Sequence, residues 1–390
     1  MQFREKFIYF CVNLHPLTMK FSTSSSELLK QLQIANGAIG SNPVLPILEN
    51  FLFRVENKRL TIASTDLETS ITTSIEVMAD DDFSVAVPAK ILLDTLKALP
   101  QQPVTFNVDS KNWGIEITSS YGRYKLAGES GDEFPNVPEP DTVDTVKINS
   151  QFLLDAINNT VFATSSDELR PAMTGVYFQV EMNKLTCVAT DAHKLVRYTT
   201  HQLIGDVSTA IIIPKKALNL LKNALPANDA VTISFNKANA FFFFGNMSLV
   251  CRLIDARYPD YNAVIPIDNP NQMTLNRSDF QNSLKRIAIY ANKTTNQVVL
   301  DISDQSVTIS AQDLDFSNEA TEQMPCSFSG SPLKIAFNAK FLAEMLGVLS
   351  ADEVTMEFSS PSRAGIITPV EESNVNHEIL MLVMPVMLNN

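Results

Sequence analysis

Two hydrophobic periods alternate along this chain. Residues 85–100, VAVPAKILLDTLKALP, begin as a short apolar strand. They continue with Leu92, Leu96 and Leu99 at the spacing of one helix face. The same order returns at 210–226, AIIIPKKALNLLKNALP, and at 334–350, KIAFNAKFLAEMLGVLS. The residues that start the three helices are Pro88, Pro214 and Asn338, 126 and 124 positions apart. A fixed period of this length is the signature of a repeat architecture, so it governs how the other segments are read.

The rest of each round follows the same order. A strand at 20–23 leads into a helix from about Ser26, with Glu27 placing negative charge in its first turn. Strands are expected at 51–55, 59–65 and 69–77, with TDLE at 65–68 among them. After the 85–100 stretch, strands at 104–108, 113–119 and 123–127 complete the round. A Pro- and Asp-rich linker follows at 134–145. The second round places a strand and helix at 146–163, paired strands at 176–180 and 184–190, and TDAHKL at 190–195. Asp191 lies 125 residues after Asp66. Strands at 231–236, 240–245 and 247–254 and a linker at 266–272 close it. The third round has a strand and helix at 273–291, strands at 297–302 and 306–311, and two last strands that end in MLVMPVML. Leu28, Leu153 and Phe280 mark the first helix of each round. The expectation is an α+β chain of three tandem domains, 19–140, 146–270 and 272–390. Each is an internally duplicated strand–helix unit on antiparallel sheets.

Six similar half-units in series can form a curved array. The second helix of each round has a polar stripe: Lys90, Asp94 and Lys97; Lys215, Asn219 and Lys222; Lys340, Glu344 and Gly347. The six predicted helices together carry a charge of +5, which leaves −18 on the rest of a chain whose net charge is −13. An acidic body with a mildly basic helical lining suits a protein that surrounds DNA without gripping it. The plainer alternative is that these lysines sit on ordinary solvated faces.

Other features narrow the possibilities. Residues 1–18 match nothing in the later rounds and lack a signal-peptide cleavage pattern, so they read as a disordered extension before a functional start at Met19. No apolar run reaches the length of a membrane span. Cys11, Cys187, Cys251 and Cys326 lie far apart with no CxxC, which points to a reducing compartment and away from a zinc site. There is no G-x-x-x-x-G-K-[ST], G-x-G-x-x-G or H-E-x-x-H, and only 12 glycines are available for phosphate loops. An enzyme on a three-domain body and a repeat scaffold that never encircles DNA are the competing readings.

The motifs in order, MKF at 19–21, LPIL at 45–48, TDLE at 65–68, VPAK at 87–90, FPN at 134–136, ATDAHKL at 189–195, IIPKK at 212–216, YPDY at 258–261 and the final MP-x-x-L, resemble the bacterial DNA polymerase III beta subunit family, the sliding clamps. The resemblance runs from Met19 to Leu388. It implies three DNA-clamp domains closing into a ring as a head-to-tail homodimer around duplex DNA. The partners implied are the replicative polymerase, the clamp loader and other proteins with short clamp-binding motifs. It further implies a cytoplasmic processivity factor for DNA replication, with no catalytic residues, metal or cofactor.

The resemblance also implies sites. A peptide cleft for partner motifs maps to Met173, Thr190, Ala192, His193, Lys194, Leu195, Pro259, Val264, Leu382, Met384 and Val386, the last three on the C-terminal strand. Apolar walls with Met side chains suit varied peptides; the alternative for MLVMPVML is a buried closing strand. Ala263 stands where the family usually has arginine, and Ala364 where it has a small polar residue. His193 has no nucleophile constellation beside it. DNA contact maps to Asn42, Lys90, Ser166, Asp167, Pro171 and Ala172. Arg170, Lys97, Lys215 and Lys216 are added here as further phosphate contacts. The subunit interface joins Tyr124 and Leu126 of the first domain's last strand to Ile289 and Tyr290 at the end of the third domain's first helix. Ordinary packing within its own domain is the alternative for Tyr290.

Overall fold

Each copy of the strand-then-helix pattern folds as its periodicity requires. In the computed structural model, which describes residues 18–141, 143–370 and 376–388, the three strands are Phe83–Pro88, Thr209–Pro214 and Leu333–Asn338. The helices that follow them are α2 (Ala89–Ala98), α4 (Lys215–Ala224) and α6 (Ala339–Val348). The first helices of the rounds are α1 (Ser25–Ala35), α3 (Ser150–Thr160) and α5 (Arg277–Ile287). Pro88, Pro214 and Asn338 are the N-caps, and only Asn338 caps with its side chain, accepting from Lys340 N at 3.0 Å. Ser24, before α1, makes no cap. Its hydroxyl lies 3.0 Å from Ser26 Oγ. Apolar faces turn inward as expected. Leu92, Leu96, Leu218, Leu221, Leu342 and Met345 are buried, while Leu99 and Leu225, past the helix ends, are half-buried.

The chain divides into two compact units. In the first, residues 1–139 with 246–249, one sheet is ordered Met78–Ala79, Thr18–Ser24, Pro103–Asp109, Gly114–Thr118, Arg123–Ala127. In another, the strands Glu129–Ser130, Phe83–Pro88, Asn50–Glu56, Arg59–Thr65 and Thr69–Glu76 are neighbours in that order. Helix α1 packs on the strand Thr69–Glu76 and against α2. Phe21 and Phe106 stack at 4.6 Å within the core.

In the second unit, residues 140–245 with 250–390, nine strands form one sheet. Their order is Thr209–Pro214, Gly175–Glu181, Lys184–Thr190, Lys194–Thr200, His377–Val383, Gly365–Pro369, Glu353–Phe358, Asn271–Asn276, Ser327–Ser329. The seam in its middle is an antiparallel ladder from Lys194↔Val383 to Thr200↔His377. A four-stranded sheet, Asn318–Pro325, Ser306–Asp313, Gln297–Ser303, Leu333–Asn338, packs on α5.

Several expectations are corrected. The C-terminus holds three strands, Glu353–Phe358, Gly365–Pro369 and His377–Val383. Met384 and Val386 lie beyond the last of them, where Pro385 cannot donate to a ladder. Strands at Lys194–Thr200 and Asn318–Pro325 add to those expected, and the first starts 125 residues after the strand Thr69–Glu76 that follows TDLE, so the repeat itself implies it. The strand Arg123–Ala127 is not the first domain's last, since Glu129–Ser130 follows it. The expected extension at 1–18 lies outside the described residues except for Thr18, which opens the first strand. Cys187 and Cys251 are buried free thiols, and burial pushes Cys251 up to about 12.

Candidate functional site

The turn Thr190-Asp191-Ala192-His193-Lys194 is built from its own side chains. Asp191 Oδ1 accepts from His193 N and Lys194 N, both at 2.9 Å. Thr190 Oγ1 accepts from Ala192 N at 3.1 Å and donates to Lys194 O at 2.7 Å. Ala192 takes a left-handed conformation, φ 76°. Ala192 and His193 are therefore held out to solvent, and Leu195 is turned in.

Leu195 joins an apolar floor of Val188, Ile212, Tyr258, Ala364 and Leu382. Ala172, Tyr177, Ile254, Ala256, Tyr261 and Ile265 pack around it, half-buried. Leu382 is paired directly with Leu195 across the seam, so the floor draws on both ends of the second unit. Tyr177 and Tyr258 stack at 4.7 Å, and Tyr258 donates its hydroxyl to Val188 O at 3.2 Å. Burial pushes both phenols up, so they are neutral donors at physiological pH. Tyr261 donates to Gln179 Oε1 at 3.0 Å. Ala192, His193, Pro259, Val264 and Met384 are exposed around this floor. Met384 N donates to His193 O at 2.8 Å, which ties the C-terminal segment to the turn. A cavity of about 1070 Å³ shares Tyr177, Ile212, Ile254 and Ala256 with the floor.

Two expected cleft residues, Lys194 and Val386, are held by other contacts, and Met173 lies beside Ala172. Lys194 is buried, with its ammonium 2.8 Å from Glu344, 3.3 Å from Asp191 and 4.5 Å over the Phe341 ring. It binds the turn to α6 through Glu344, which stays half-exposed in the expected polar stripe. Val386 N donates to Ala336 O at 2.8 Å, so Val386 is anchored on the strand Leu333–Asn338. Met173 is half-buried, its carbonyl accepting from Ser165 N at 2.8 Å. Sequence reasoning missed Val188, Ile212 and Tyr177. Neither strand alone carries a signal for them, because it is pairing register that sets Tyr177 opposite Val188 and Ile212.

The candidate DNA-contact residues differ in exposure and in their neighbours. Lys90 and Lys97 are exposed on α2, with Lys97 Nζ 4.0 Å from Asp94. Lys215 and Lys216 are exposed at the start of α4, and Asn42 and Ser166 are exposed in loops. Arg170 Nε donates to Asp167 at 2.8 Å, and this bond holds the Asp167 carboxyl below the usual carboxylate range. Pro171 opens a 3-10 turn, and Ala172 packs against the apolar floor.

The candidate interface residues lie at sheet edges. The strand Arg123–Ala127 is the last of its sheet, with Tyr124 half-buried and Leu126 buried within its own unit. Tyr124 lines a cavity of about 900 Å³ with Lys90, Ile91 and Asp94. In the second unit Ile289 is 65% exposed and Tyr290 43%. They follow α5 beside the edge strand Asn318–Pro325.

The chain matches, in order, the models of the DNA polymerase III beta subunit N-terminal domain over residues 19–138, central domain over 147–260 and C-terminal domain over 262–383. The beta sliding clamp of Synechococcus elongatus is 27% identical over 383 residues, covering 95% of this chain and 100% of the relative. That of Vibrio cholerae is 28% identical over 373 residues with the same coverage. Among solved structures, the DNA polymerase sliding clamp of Bacillus subtilis superposes with a TM-score of 0.90 at 26% identity. It covers 95% of this chain and 100% of that one. A sliding clamp of Pseudomonas aeruginosa bound to griselimycin gives 0.89 at 25%, with the same coverage.

Proposed function

We propose how this chain works from one premise: it belongs to the DNA polymerase III beta subunit family. Its function is that of a DNA sliding clamp, a processivity factor and not a catalyst. It tethers the polymerase and proteins with clamp-binding motifs to the duplex it encircles. The observation that carries this is the tandem match of all three domains across one chain. No helix among the described residues is long and apolar enough to cross a membrane. We place the protein in the cytoplasm, where it serves DNA replication, and divide it at 19–140, 146–270 and 272–390.

The apolar floor around Leu195, Tyr258 and Leu382 is the proposed cleft for partner motifs. Apolar side chains of an extended peptide would sit on it, between Val264 and Met384. Retaining Thr190, Ala192, His193 and Leu195 as wall or framework is supported by the turn that fixes them. Lys194 acts by holding that turn. Exposed Lys90, Lys97, Lys215 and Lys216 are the proposed phosphate contacts, few enough to permit sliding.

Two copies are proposed to close head to tail by edge pairing of Arg123–Ala127 with the partner's Asn318–Pro325 strand. The first edge carries Arg123 and Lys125, the second Glu319 and Glu322, and the exposed Ile289 and Tyr290 of one copy suit the cavity lined by Tyr124 of the other. The test is retention on nicked circular DNA after ATP-driven loading, in salt that strips groove binders. Release on linearisation is expected. Retention on free-ended DNA, or none on the circle, overturns the reading.

A further inference from the structure

The N-terminal unit repeats the framework of the central site position for position. In the central domain Tyr177 pairs with Val188 on one side and Ile212 on the other. In the N-terminal unit Leu52 pairs in the same way with Ala63 and Ala86. These three form an apolar cluster with Phe134, and Ile47 and Val137 pack on it. Phe134 and Val137 stand 124 residues before Tyr258 and Tyr261, and Ile47 stands 125 before Ala172. Both copies are entered through a Pro-led 3-10 turn, Pro46–Glu49 and Pro171–Thr174.

The turn beside the cluster is repeated as well. Asp66 Oδ1 accepts from Glu68 N at 3.0 Å and Thr69 N at 2.7 Å, and Thr65 Oγ1 accepts from Leu67 N at 3.0 Å. Leu67 takes φ 77°, the conformation of Ala192. This turn holds a leucine, not an alanine, out to solvent at 48% exposure. Val44 and Leu45, in the loop that passes Asp66 at Gly40, are exposed as well, Val44 to 77%. Large apolar side chains left exposed on neighbouring loops mark an interaction surface.

The charge around the two copies differs. Segments 41–52, 63–69 and 128–139 of the N-terminal unit hold seven carboxylates and no lysine or arginine. The corresponding central segments, 166–177, 188–194 and 252–263, hold five carboxylates against four lysines and arginines. Acidic segments that also bear exposed apolar side chains complement a ligand that combines apolar and basic residues.

We propose that the N-terminal unit carries a second docking site, at Val44, Leu45 and Leu67 over the Leu52–Phe134 cluster, for a short basic–apolar segment of a partner protein. The comparison with the central copy rests on reading that copy as a peptide cleft. The site itself stands on its own exposure and charge. Such a clamp would sort two kinds of partner by the charge of their docking segments.

The test uses the full chain and fluorescence anisotropy of a labelled synthetic peptide, Lys-Arg-Leu-Leu-Phe-Lys-Arg. Saturable, salt-sensitive binding is expected. Val44→Lys with Leu67→Lys is expected to weaken it at least tenfold. Glu68→Lys with Glu133→Lys, which spares the apolar patch, is expected to weaken it and flatten its salt dependence. Val264→Lys with Met384→Lys, at the central site, is expected to leave it within twofold. Circular dichroism melts confirm that each variant is folded. Loss through the central variant alone, equal loss in all variants, or no binding overturns the proposal. A change of solution mass in the Val44/Leu67 variant also overturns it, because the patch would then join copies of this chain. A control peptide with serine for every basic residue probes the central site. Its failure to bind there counts against the cleft reading and not against this one.

Discussion

Lys194 Nζ lies 2.8 Å from Glu344 Oε2, and this contact joins the cleft turn of the central domain to α6 of the C-terminal domain. The lysine side chain is 6% exposed and the glutamate 50%. The ammonium therefore bears most of the desolvation, and Phe341 beneath it offsets part of that cost. Glu344→Ala is expected to lower unfolding free energy in urea by about 1.5–3 kcal/mol, the range for hydrogen bonds to charged groups. Lys194→Met removes the buried charge together with its partner's role and keeps the contact with Phe341. It is expected to cost less than Glu344→Ala, and a larger loss would refute this account.

Truncation after Val383 removes Met384, whose amide is bonded to His193 O, and Val386, bonded to Ala336 O. The chain without them is expected to lose binding of polymerase-derived peptides while remaining dimeric. Peptide affinity equal to that of the intact chain, by anisotropy, would remove the C-terminal segment from the cleft.

Changing Ile289 and Tyr290 together to Ala deletes two side chains that make exposed apolar surface. Light scattering is expected to show a monomer, with the thermal transition of the chain little changed. A dimer that persists at the same concentration would place the interface elsewhere.

Glu322 on the edge strand accepts from Arg286 and from Ser283 Oγ, and these bonds hold its carboxyl down to about 2. A depressed carboxylate stabilises the fold above its unfolded value and loses that contribution as pH falls towards the folded one. The contact of α5 with this strand is thus expected to be complete above roughly pH 4.5, its ordinary value, and to weaken as pH drops towards about 2. Glu322→Gln is expected to flatten stability against pH over that window. An unchanged acid limb would show that the pair contributes nothing there.

The helices were legible because the pairs Leu92 and Leu96, Leu218 and Leu221, and Leu342 and Met345 each keep a helical spacing, and the first of each pair recurs 126 and 124 residues apart, which tertiary context only reinforced. The strand Lys194–Thr200 is marked by the repeat, 125 residues after the start of the strand past TDLE, and not by its own residues, whose burial on both faces hides any alternation. Tyr177 and Ile212 were hidden for another reason. Pairing register is not written in either strand alone, and it is register that brings them together with Val188. Lys194 misled by its charge, since a lysine in a motif reads as solvent-facing until a buried partner is visible.

The ladder between Lys194–Thr200 and His377–Val383 has a mechanical consequence. Tension along these strands loads all of its cross-strand bonds in shear at once, whereas a contact held by side chains alone peels one group at a time. A protein pulled by moving machinery would therefore not yield at this seam. The cleft floor, which spans the seam through the Leu195–Leu382 pair, is thereby held in one shape under load.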